Sequence, residues 1–448
     1  MEKLVAHLYQ TTWNDFHADT IEAAKLVILD TIAAIVAGVE QEATLKLTEM
    51  LANQDAGNFR IIGSSHKTTL YHAALIHGTA SVATEMDEGN QYSKGHPAAH
   101  VVPVLLTYAQ NRDRYSGKAF LEATIKAYEA CSRFGRASTL VPDAHAHGTW
   151  GTLGAAAAAC LMDQVSEEQF MEGIRLGATF ALPTMWEAAL NGCLVRNIYA
   201  GHAVEAGIKI TALLQSGHYA PSNNVEHVFS KMIGTEWNSD ELTPSHDGVW
   251  DIERNYFKPY AFCRYAHAPI DAFKEAIEAN RLAPEQIRQV EVYTYARAAT
   301  LSSSDYHNIL SAKFSIPYAL GMWAHHQLAD ESAFSNAFIN DPDIRAFAKK
   351  VKVIHSKELD REYPKIMPAV IRIIDEQGNT HESRIDMAEG GPGKELNKVA
   401  LQEKFNRLTQ SVFSERRRQQ IFERIMDLEH VEDIEDLISL CVKEKVSS

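Results

Sequence analysis

The chain has 448 residues, 46% of them hydrophobic and 23% charged, as in an ordinary soluble globular protein, and this length favours two domains. A formal charge of −15 argues against nucleic acid as a partner, because a phosphate-binding face needs clustered lysine and arginine. The N-terminus is too polar for a signal peptide and no apolar run reaches membrane-spanning length, so a soluble, cytoplasmic protein without a membrane partner is predicted.

Up to about residue 235 the sequence reads as one helix after another. The first long helix is expected to stop at Gly38, and Ser116 and Ser166 are predicted to cap later helices, the second through a capping box. Residues 148–162 (GTWGTLGAAAAACLM) are so rich in glycine and alanine that neighbouring backbones must approach this helix closely. These features predict a bundle-like α-domain.

The pattern changes near residue 250. Residues 289–297 (QVEVYTYAR) alternate as a strand does, and residues 368–374 and 381–387 can pair as a hairpin. Helical periodicity returns after a GGPG sequence at 390–393. The predicted fold is therefore mainly α, with a large helical bundle domain formed by both chain ends and an inserted, smaller α+β lid domain. The predicted boundaries are 1–255 and 393–448 for the helical domain and 256–392 for the lid domain.

Polar side chains cluster at helix starts and loops beside the small-residue helices. Histidines together with fixed cations suit a small polyanionic substrate, because cations bind carboxylates and a histidine moves the proton. The four clusters are Asp87, Asn90, Gln91, Lys94 and His96; Asp143, His145 and His147; Arg196, Tyr199 and His202; and Lys258, Tyr260, Cys263, Arg264 and His267.

Structural roles compete with these functional ones. A buried arginine also links helices through their carbonyls, and an aspartate at a helix end also forms turns. His145 and His147 could contribute to a metal site, but the sequence identifies no third ligand. The five scattered cysteines form no CxxC pair, a pattern of reduced thiols. No metal or other cofactor is therefore predicted.

Four stretches, in this order, resemble the MmgE/PrpD family, which includes 2-methylcitrate dehydratase, cis-aconitate decarboxylase and iminodisuccinate epimerase. The resemblance implies a helical domain built from both chain ends, an inserted α+β lid, a homodimer, and a metal-free site between the domains. The stretches are HGTA…MDEGN…GHPAAHVVP (77–103), HAHGTWGTLG (145–154), GCLVRNIYAG (192–201) and KPYAFCRYAH (258–267).

The same resemblance assigns roles to individual residues. Arg196 stands where dehydratase and decarboxylase members often carry lysine, and Tyr199 where some have histidine. Positions that match the family's catalytic residues are Asp87, His96, His145 and Lys258, and substrate contacts are expected from Arg196, Arg264, His267, Tyr199, Tyr318 (in AKFSIPY), Gln91 and Lys94.

The predicted function is a lyase or isomerase that removes a proton next to a carboxylate of a small di- or tricarboxylate, with a hydro-lyase of the 2-methylcitrate dehydratase kind as the first choice. A hydro-lyase needs a base and an acid for the leaving hydroxide. The alternatives are an epimerase of an iminodisuccinate-like amino dicarboxylate, which needs two groups on opposite faces of one carbon, and a decarboxylase, which needs mainly a protonating acid. From another class, the chain could be an inactive paralogue that binds a carboxylate.

Overall fold

Helices make up most of the chain that the computed structural model describes, which is residues 1–244 and 248–443. Positions 245–247 and 444–448, including the end of the predicted helical domain, lie outside the described residues. In chain order the α-helices are α1 (Glu2–Gln10), α2 (Ala18–Val39), α3 (Glu42–Gln54), α4 (Leu70–Ala83), α5 (Ala98–Ala109), α6 (Gly117–Ala137), α7 (Gly151–Met162), α8 (Glu167–Thr179), α9 (Glu187–Leu190), α10 (Val195–Gln215), α11 (Asn224–His227), α12 (His267–Asn280), α13 (Ala296–Ala299), α14 (Ile309–Lys313), α15 (Ile316–His326), α16 (Asn336–Ile339), α17 (Pro342–Ala348), α18 (Lys398–Thr409), α19 (Glu415–Met426) and α20 (Glu435–Leu440).

The strands of the described chain are short and form small sheets. Two antiparallel pairs, β1–β2 and β3–β4, accompany a four-stranded sheet of order β6-β5-β7-β8. This mainly α architecture with a smaller α+β part confirms the predicted fold class. The strands are β1 (Phe59–Arg60), β2 (Lys67–Thr68), β3 (Ser138–Leu140), β4 (Gly234–Trp237), β5 (Ile287–Thr294), β6 (Val351–His355), β7 (Ala369–Asp375) and β8 (Thr380–Ile385).

The chain divides into two compact units. The first unit combines both chain ends, Met1–Met185, Val195–Asn255 and Asn397–Ser448, and the second comprises Trp186–Leu194 and Tyr256–Leu396. In the part of the chain that the structure describes, no helix combines the length and the apolar character needed to cross a membrane.

Small residues let the central helices of the first unit approach one another closely. A Cβ atom on Gly78 of α4 would lie 2.8 Å from the carbonyl oxygen of Ala200 in α10, and one on Gly207 of α10 would lie 2.5 Å from Cβ of Ala155 in α7. Side chains at these positions would clash with the neighbouring helix. The close packing predicted from the glycine and alanine content is therefore confirmed, and it brings the start of α10 against the end of α4.

Capping residues behave as predicted at two helix starts, but one predicted helix end is wrong. Ser116 and Ser166 accept hydrogen bonds from the amides of the third helical residues, and Ser166 forms a capping box with Gln169. Gly38 was expected to end α2, yet the helix continues to Val39. A Cβ on Gly38 would lie 1.9 Å from the carbonyl oxygen of Ala80, so this glycine serves the contact between α2 and α4 rather than a left-handed turn.

A serine of helix α4 compensates for a proline inside helix α5. Pro103 has no amide hydrogen, so the carbonyl of Ala99 lacks its usual helical donor. The hydroxyl of Ser81, on α4, donates to that carbonyl at 3.4 Å as well as to Gly78 at 2.8 Å. This contact ties together the two helices that flank the polar loop at 84–97.

The second unit is built on the four-stranded sheet. Strand β5 runs parallel to β6 and antiparallel to β7, and β7 pairs antiparallel with β8 from Ala369–Ile385 to Ile374–Thr380, which confirms the predicted hairpin. Val290 and Val292 are buried on one face of β5, as its alternating sequence predicts, and helix α12 packs against β7 and β8.

Candidate active site

The loop between α4 and α5 is held in shape by its own polar groups. The amide of Asn90 donates to the carbonyl of Gly95 at 2.8 Å, and the reverse bond measures 3.3 Å. The side-chain oxygen of Asn90 accepts from the amides of Tyr92 and Ser93, while its amide group donates to the carbonyl of Asp251. Asn90 is therefore a structural residue, and the loop is a rigid support for the side chains that flank it.

Glu88 connects this loop to the start of α5 and to α6. One carboxylate oxygen accepts from the amide of Ala98 at 3.2 Å, and the other accepts from the hydroxyl of Tyr128. Burial raises the pKa of Glu88 to about 8, although both hydrogen bonds act in the opposite direction. The side chain is therefore largely protonated near neutral pH.

His96 is oriented by two acceptors. Its Nδ1 lies 2.7 Å from the carbonyl oxygen of Glu88 and 2.9 Å from Oδ2 of Asp87. Because both neighbours accept hydrogen bonds, Nδ1 carries the hydrogen of the neutral ring, and Nε2 is left with the lone pair. The side chain of His96 is 13% exposed, whereas that of Asp87 is 3% exposed. This is the arrangement of a histidine base supported by a carboxylate.

His145 has the opposite environment. Its Nδ1 faces the amide of His147 at 3.1 Å, and its Nε2 faces Nε of Arg196 at 3.3 Å. Both neighbours are N–H donors, whereas a neutral imidazole has one acceptor nitrogen, so the ring accepts from one of these two groups at a time. The hydroxyl of Thr184 donates to the carbonyl of His145 at 2.7 Å and holds its backbone. These contacts fix the position of the ring.

Two further histidines complete a cluster. The ring of His147 lies 4.8 Å from that of His145 and 5.1 Å from that of His96, and the ring of His100 lies 5.3 Å from that of His147, measured between centroids. Burial lowers the pKa of His100 to about 4. Burial, with the nearby Arg196 charge, lowers the pKa of His147 well below its usual value. Both rings are therefore neutral at physiological pH.

Potential metal ligands also meet in this cluster. Asp87, His96 and His147 each offer one ligand atom, and these atoms all lie within 4.8 Å of one another. From the sequence, His145 and His147 could contribute to a metal site, but no third ligand is identifiable. The structure groups His147 with Asp87 and His96 instead, and His145 is not part of this set. The set forms because the loop at 84–97 lies against the residues that precede α7.

Arg196 is engaged by protein groups on several sides. Its guanidinium forms an ion pair with Glu85, and each of these side chains is 1% exposed. It also donates to the carbonyl of Val82 at 2.9 Å, at the end of α4. Arg196 was predicted to bind substrate. In this structure its charge is balanced by Glu85, and its Nε–H group contacts Nε2 of His145.

The other predicted residues of the first unit have different surroundings. Tyr199 is close to the cluster, with its ring 6.1 Å from that of His145, and its hydroxyl accepts from the amide of Met185 at 3.4 Å. Gln91 is buried within the loop. Lys94 donates to the carbonyl of Ser138 at 2.8 Å and so binds the end of α6, a role that tertiary structure alone reveals.

Four predicted residues belong to the second unit. Arg264 donates to the carbonyls of Glu389 at 2.8 Å and Ala388 at 3.2 Å, and His267 donates from Nε2 to the carbonyl of Phe262 at 3.1 Å. The hydroxyl of Tyr318 donates to the carbonyl of Ala333 at 2.6 Å, and Lys258 is fully buried. Their predicted catalytic or substrate-binding roles stay predictions.

Sequence reasoning missed His100, Glu85 and Glu88 as parts of the site. His100 lies four residues after His96, a spacing that places both on one side of a helix start, and this signal was available. Glu88 stands in the quoted MDEGN motif and Glu85 directly precedes it, but nothing in the sequence pairs Glu85 with an arginine more than a hundred residues later.

Comparison with known proteins identifies the family. The MmgE/PrpD N-terminal domain matches residues 2–232, and the MmgE/PrpD C-terminal domain matches residues 260–428. The chain belongs to the MmgE/PrpD family. The resemblance noted in the sequence is thus confirmed over most of the chain.

Curated relatives within this family carry decarboxylase names. A cis-aconitate decarboxylase of Aspergillus terreus is 24% identical, with 95% of this chain and 92% of that protein covered. A cis-aconitate decarboxylase-like protein of Aspergillus oryzae, oryM, is 22% identical, with 95% and 94% covered. The similarity extends through both units of this MmgE/PrpD chain.

Replacement of Glu88 by glutamine should flatten the pH dependence of stability. The folded-state pKa of about 8 exceeds the ordinary value of 4.5, so the native state holds this proton more tightly than the unfolded state and the associated stability is lost as pH rises through 8. Between pH 6 and 9 the free energy of unfolding should fall by roughly 2–3 kcal/mol more in the wild type than in Glu88→Gln. Chemical denaturation measures this difference. Exposed Glu168→Gln is the matched control. Equal losses in wild type and Glu88→Gln would contradict the raised pKa.

Arg196 and Glu85 should show strong energetic coupling. Arg196→Met leaves a buried carboxylate without its cation and should lower the free energy of unfolding of the first unit by about 3–5 kcal/mol. Adding Glu85→Gln removes that charge and should restore most of the loss, which a double-mutant cycle by denaturation measures. Additive single-mutant effects would show that the ion pair does not hold α10 to the end of α4.

Proposed function

We propose that this MmgE/PrpD protein is a lyase that acts on a tricarboxylate such as cis-aconitate, with His96 moving a proton at the carbon next to a carboxylate. The observation that carries the proposal is the pair of acceptors at Nδ1 of His96. They leave Nε2 as the nitrogen that takes up or returns a proton, and the Asp87 carboxylate stabilises the imidazolium form.

Decarboxylation is the first candidate reaction, supported by the names of the curated relatives. In cis-aconitate, the bond between the CH2 carbon and its carboxylate breaks and its electron pair forms a new carbon–carbon double bond. The electrons of the original double bond move to the carbon beside another carboxylate, where protonated His96 delivers its proton. The products are CO2 and an unsaturated dicarboxylate.

Dehydration of a citrate-type acid, the first choice of the sequence analysis, is the second candidate. It is favoured by the lone pair on Nε2 of the neutral ring, since a hydro-lyase begins by removing a proton next to a carboxylate. The two candidates need opposite starting forms of His96.

From the sequence and its family resemblance we also infer a cytoplasmic homodimer that takes a polycarboxylate and performs this chemistry without a metal. The buried neutral rings of His100 and His147 support a poorly solvated site, in which a carboxylate loses CO2 more readily than in water.

His96→Asn tests the proton-transfer role directly. The asparagine amide can still donate to Asp87 and to the carbonyl of Glu88, but it has no basic nitrogen, so kcat should fall by about 10²–10⁴ with little change in melting temperature. Turnover of cis-aconitate is followed by CO2 release, and dehydration of citrate and 2-methylcitrate by the absorbance of the unsaturated product.

His218→Asn is the matched control, because this histidine after α10 is exposed and its Nδ1 lies 2.9 Å from the hydroxyl oxygen of Ser216. It should keep wild-type activity. Wild-type turnover in His96→Asn would refute the proposed role of His96, and failure of the wild type to convert any of the three acids would refute the proposed substrate class.

A further inference from the structure

His147 is a buried side chain without hydrogen-bond partners. Its side chain is 0% exposed, and neither ring nitrogen has a hydrogen-bond partner among residues 1–244 and 248–443. Such a group loses its hydration without compensation, at a cost of about 1–3 kcal/mol. An unsatisfied buried group of this kind points to a partner outside the protein chain.

His77, on α4, shows what a structural histidine of the same unit looks like. It is equally buried, but its Nε2 accepts from the amide of Ile62 at 2.9 Å, and its Nδ1 lies 2.7 Å from the hydroxyl oxygen of Thr107. That hydroxyl donates onward to the carbonyl of Pro103. Both ring nitrogens of His77 therefore have hydrogen-bond partners, whereas neither ring nitrogen of His147 has one among the described residues.

The side chains around His147 favour a cation as its partner. Its ring faces the cluster from which Asp87 and His96 also offer ligand atoms, all within 4.8 Å of one another. Two imidazole nitrogens and one carboxylate oxygen favour Zn²⁺, Fe²⁺, Co²⁺ or a similar ion, whereas Mg²⁺ and Ca²⁺ prefer oxygen ligands alone.

We propose that Asp87, His96 and His147 form a binding site for a divalent transition metal of the Zn²⁺ class. The site would keep open positions for water or for a carboxylate ligand, since three protein ligands do not fill the coordination sphere of such an ion. His100 lies next to His147, and its Nε2 likewise has no hydrogen-bond partner among the described residues, so a third imidazole is available as a fourth ligand.

Buried carboxylates offset the positive charge beside this site. Arg196 contacts His145 and forms an ion pair with Glu85, so its charge is balanced. Asp87 adds a buried negative charge on the metal side.

Metal binding has a consequence that rests on the proposed function. A metal that takes a nitrogen of His96 removes the group that moves the proton. The metal-loaded protein should therefore be inhibited, and chelator treatment should preserve or raise activity. The existence of the site itself does not depend on the reaction.

Cobalt titration of the chelator-treated, full-length protein tests the site. Co²⁺ bound by imidazole and carboxylate should give visible d–d absorption that saturates at one equivalent and disappears when Zn²⁺ is added. Zn²⁺ should also raise the melting temperature, because it binds the native state. His147→Gln should weaken Zn²⁺ binding by more than the roughly 10–100-fold that loss of an outer-shell partner costs, whereas the exposed-site variant His218→Gln should bind as the wild type does.

X-ray absorption at the zinc edge provides a measurement that needs no variant. The wild type loaded with one Zn²⁺ should show at least two imidazole ligands with further oxygen or nitrogen ligands. Absence of Co²⁺ absorption in the wild type, a spectrum without imidazole, or unchanged affinity in a folded His147→Gln protein would each overturn the proposed site. A site that binds Zn²⁺ while turnover stays at the wild-type rate would instead overturn the role of His96.

Discussion

The contact between Nδ1 of His96, the carboxylate of Asp87 and the carbonyl of Glu88 is the constraint on which the candidate site depends. It decides which ring nitrogen carries the hydrogen, and therefore which one can exchange a proton with a ligand. Glu88 contributes twice, because its backbone holds His96 while its side chain accepts from the first turn of α5. The shape of the loop and the chemistry of the histidine are thus determined by the same few atoms.

The four histidines of the cluster differ in their burial and in their hydrogen-bond partners. His96 is partly exposed and paired with a carboxylate, whereas His145 is fixed between two N–H donors. His100 and His147 have ring nitrogens without hydrogen-bond partners in the described chain, and burial keeps both neutral. A neutral, poorly hydrated surface beside one basic nitrogen suits proton transfer to carbon. Neutral imidazole nitrogens also bind transition metals, so the cluster suits both proton transfer and metal binding.

Local signals in the sequence predicted the helices, the hairpin and the mainly α fold. Ser116 and Ser166 are recognisable caps because capping depends on residues three positions apart, and the strand at β5 shows its alternation directly. Gly38 misled the prediction, since a glycine that ends a helix and one that admits a neighbouring helix look alike in one sequence.

Within the candidate site, the sequence could name residue types but not their partners. Asp87 and His96 are both predicted catalytic residues of one loop, and the structure places them in contact. Lys94, in the same loop, instead donates to the end of α6, and Arg196 pairs with Glu85 across more than a hundred residues. These partners are set by how α4, α6 and α10 pack, which no local pattern encodes.

Deuterium transfer in D2O tests the central claim, that His96 moves a proton at a carbon next to a carboxylate. The wild-type protein is incubated with cis-aconitate, and the product is analysed by NMR and mass spectrometry. The account predicts one deuterium per product molecule, bound to the carbon beside the retained carboxylate, and its loss in His96→Asn in proportion to the lost turnover. Product formed without deuterium at that carbon, or deuterium incorporated equally by His96→Asn, would contradict it.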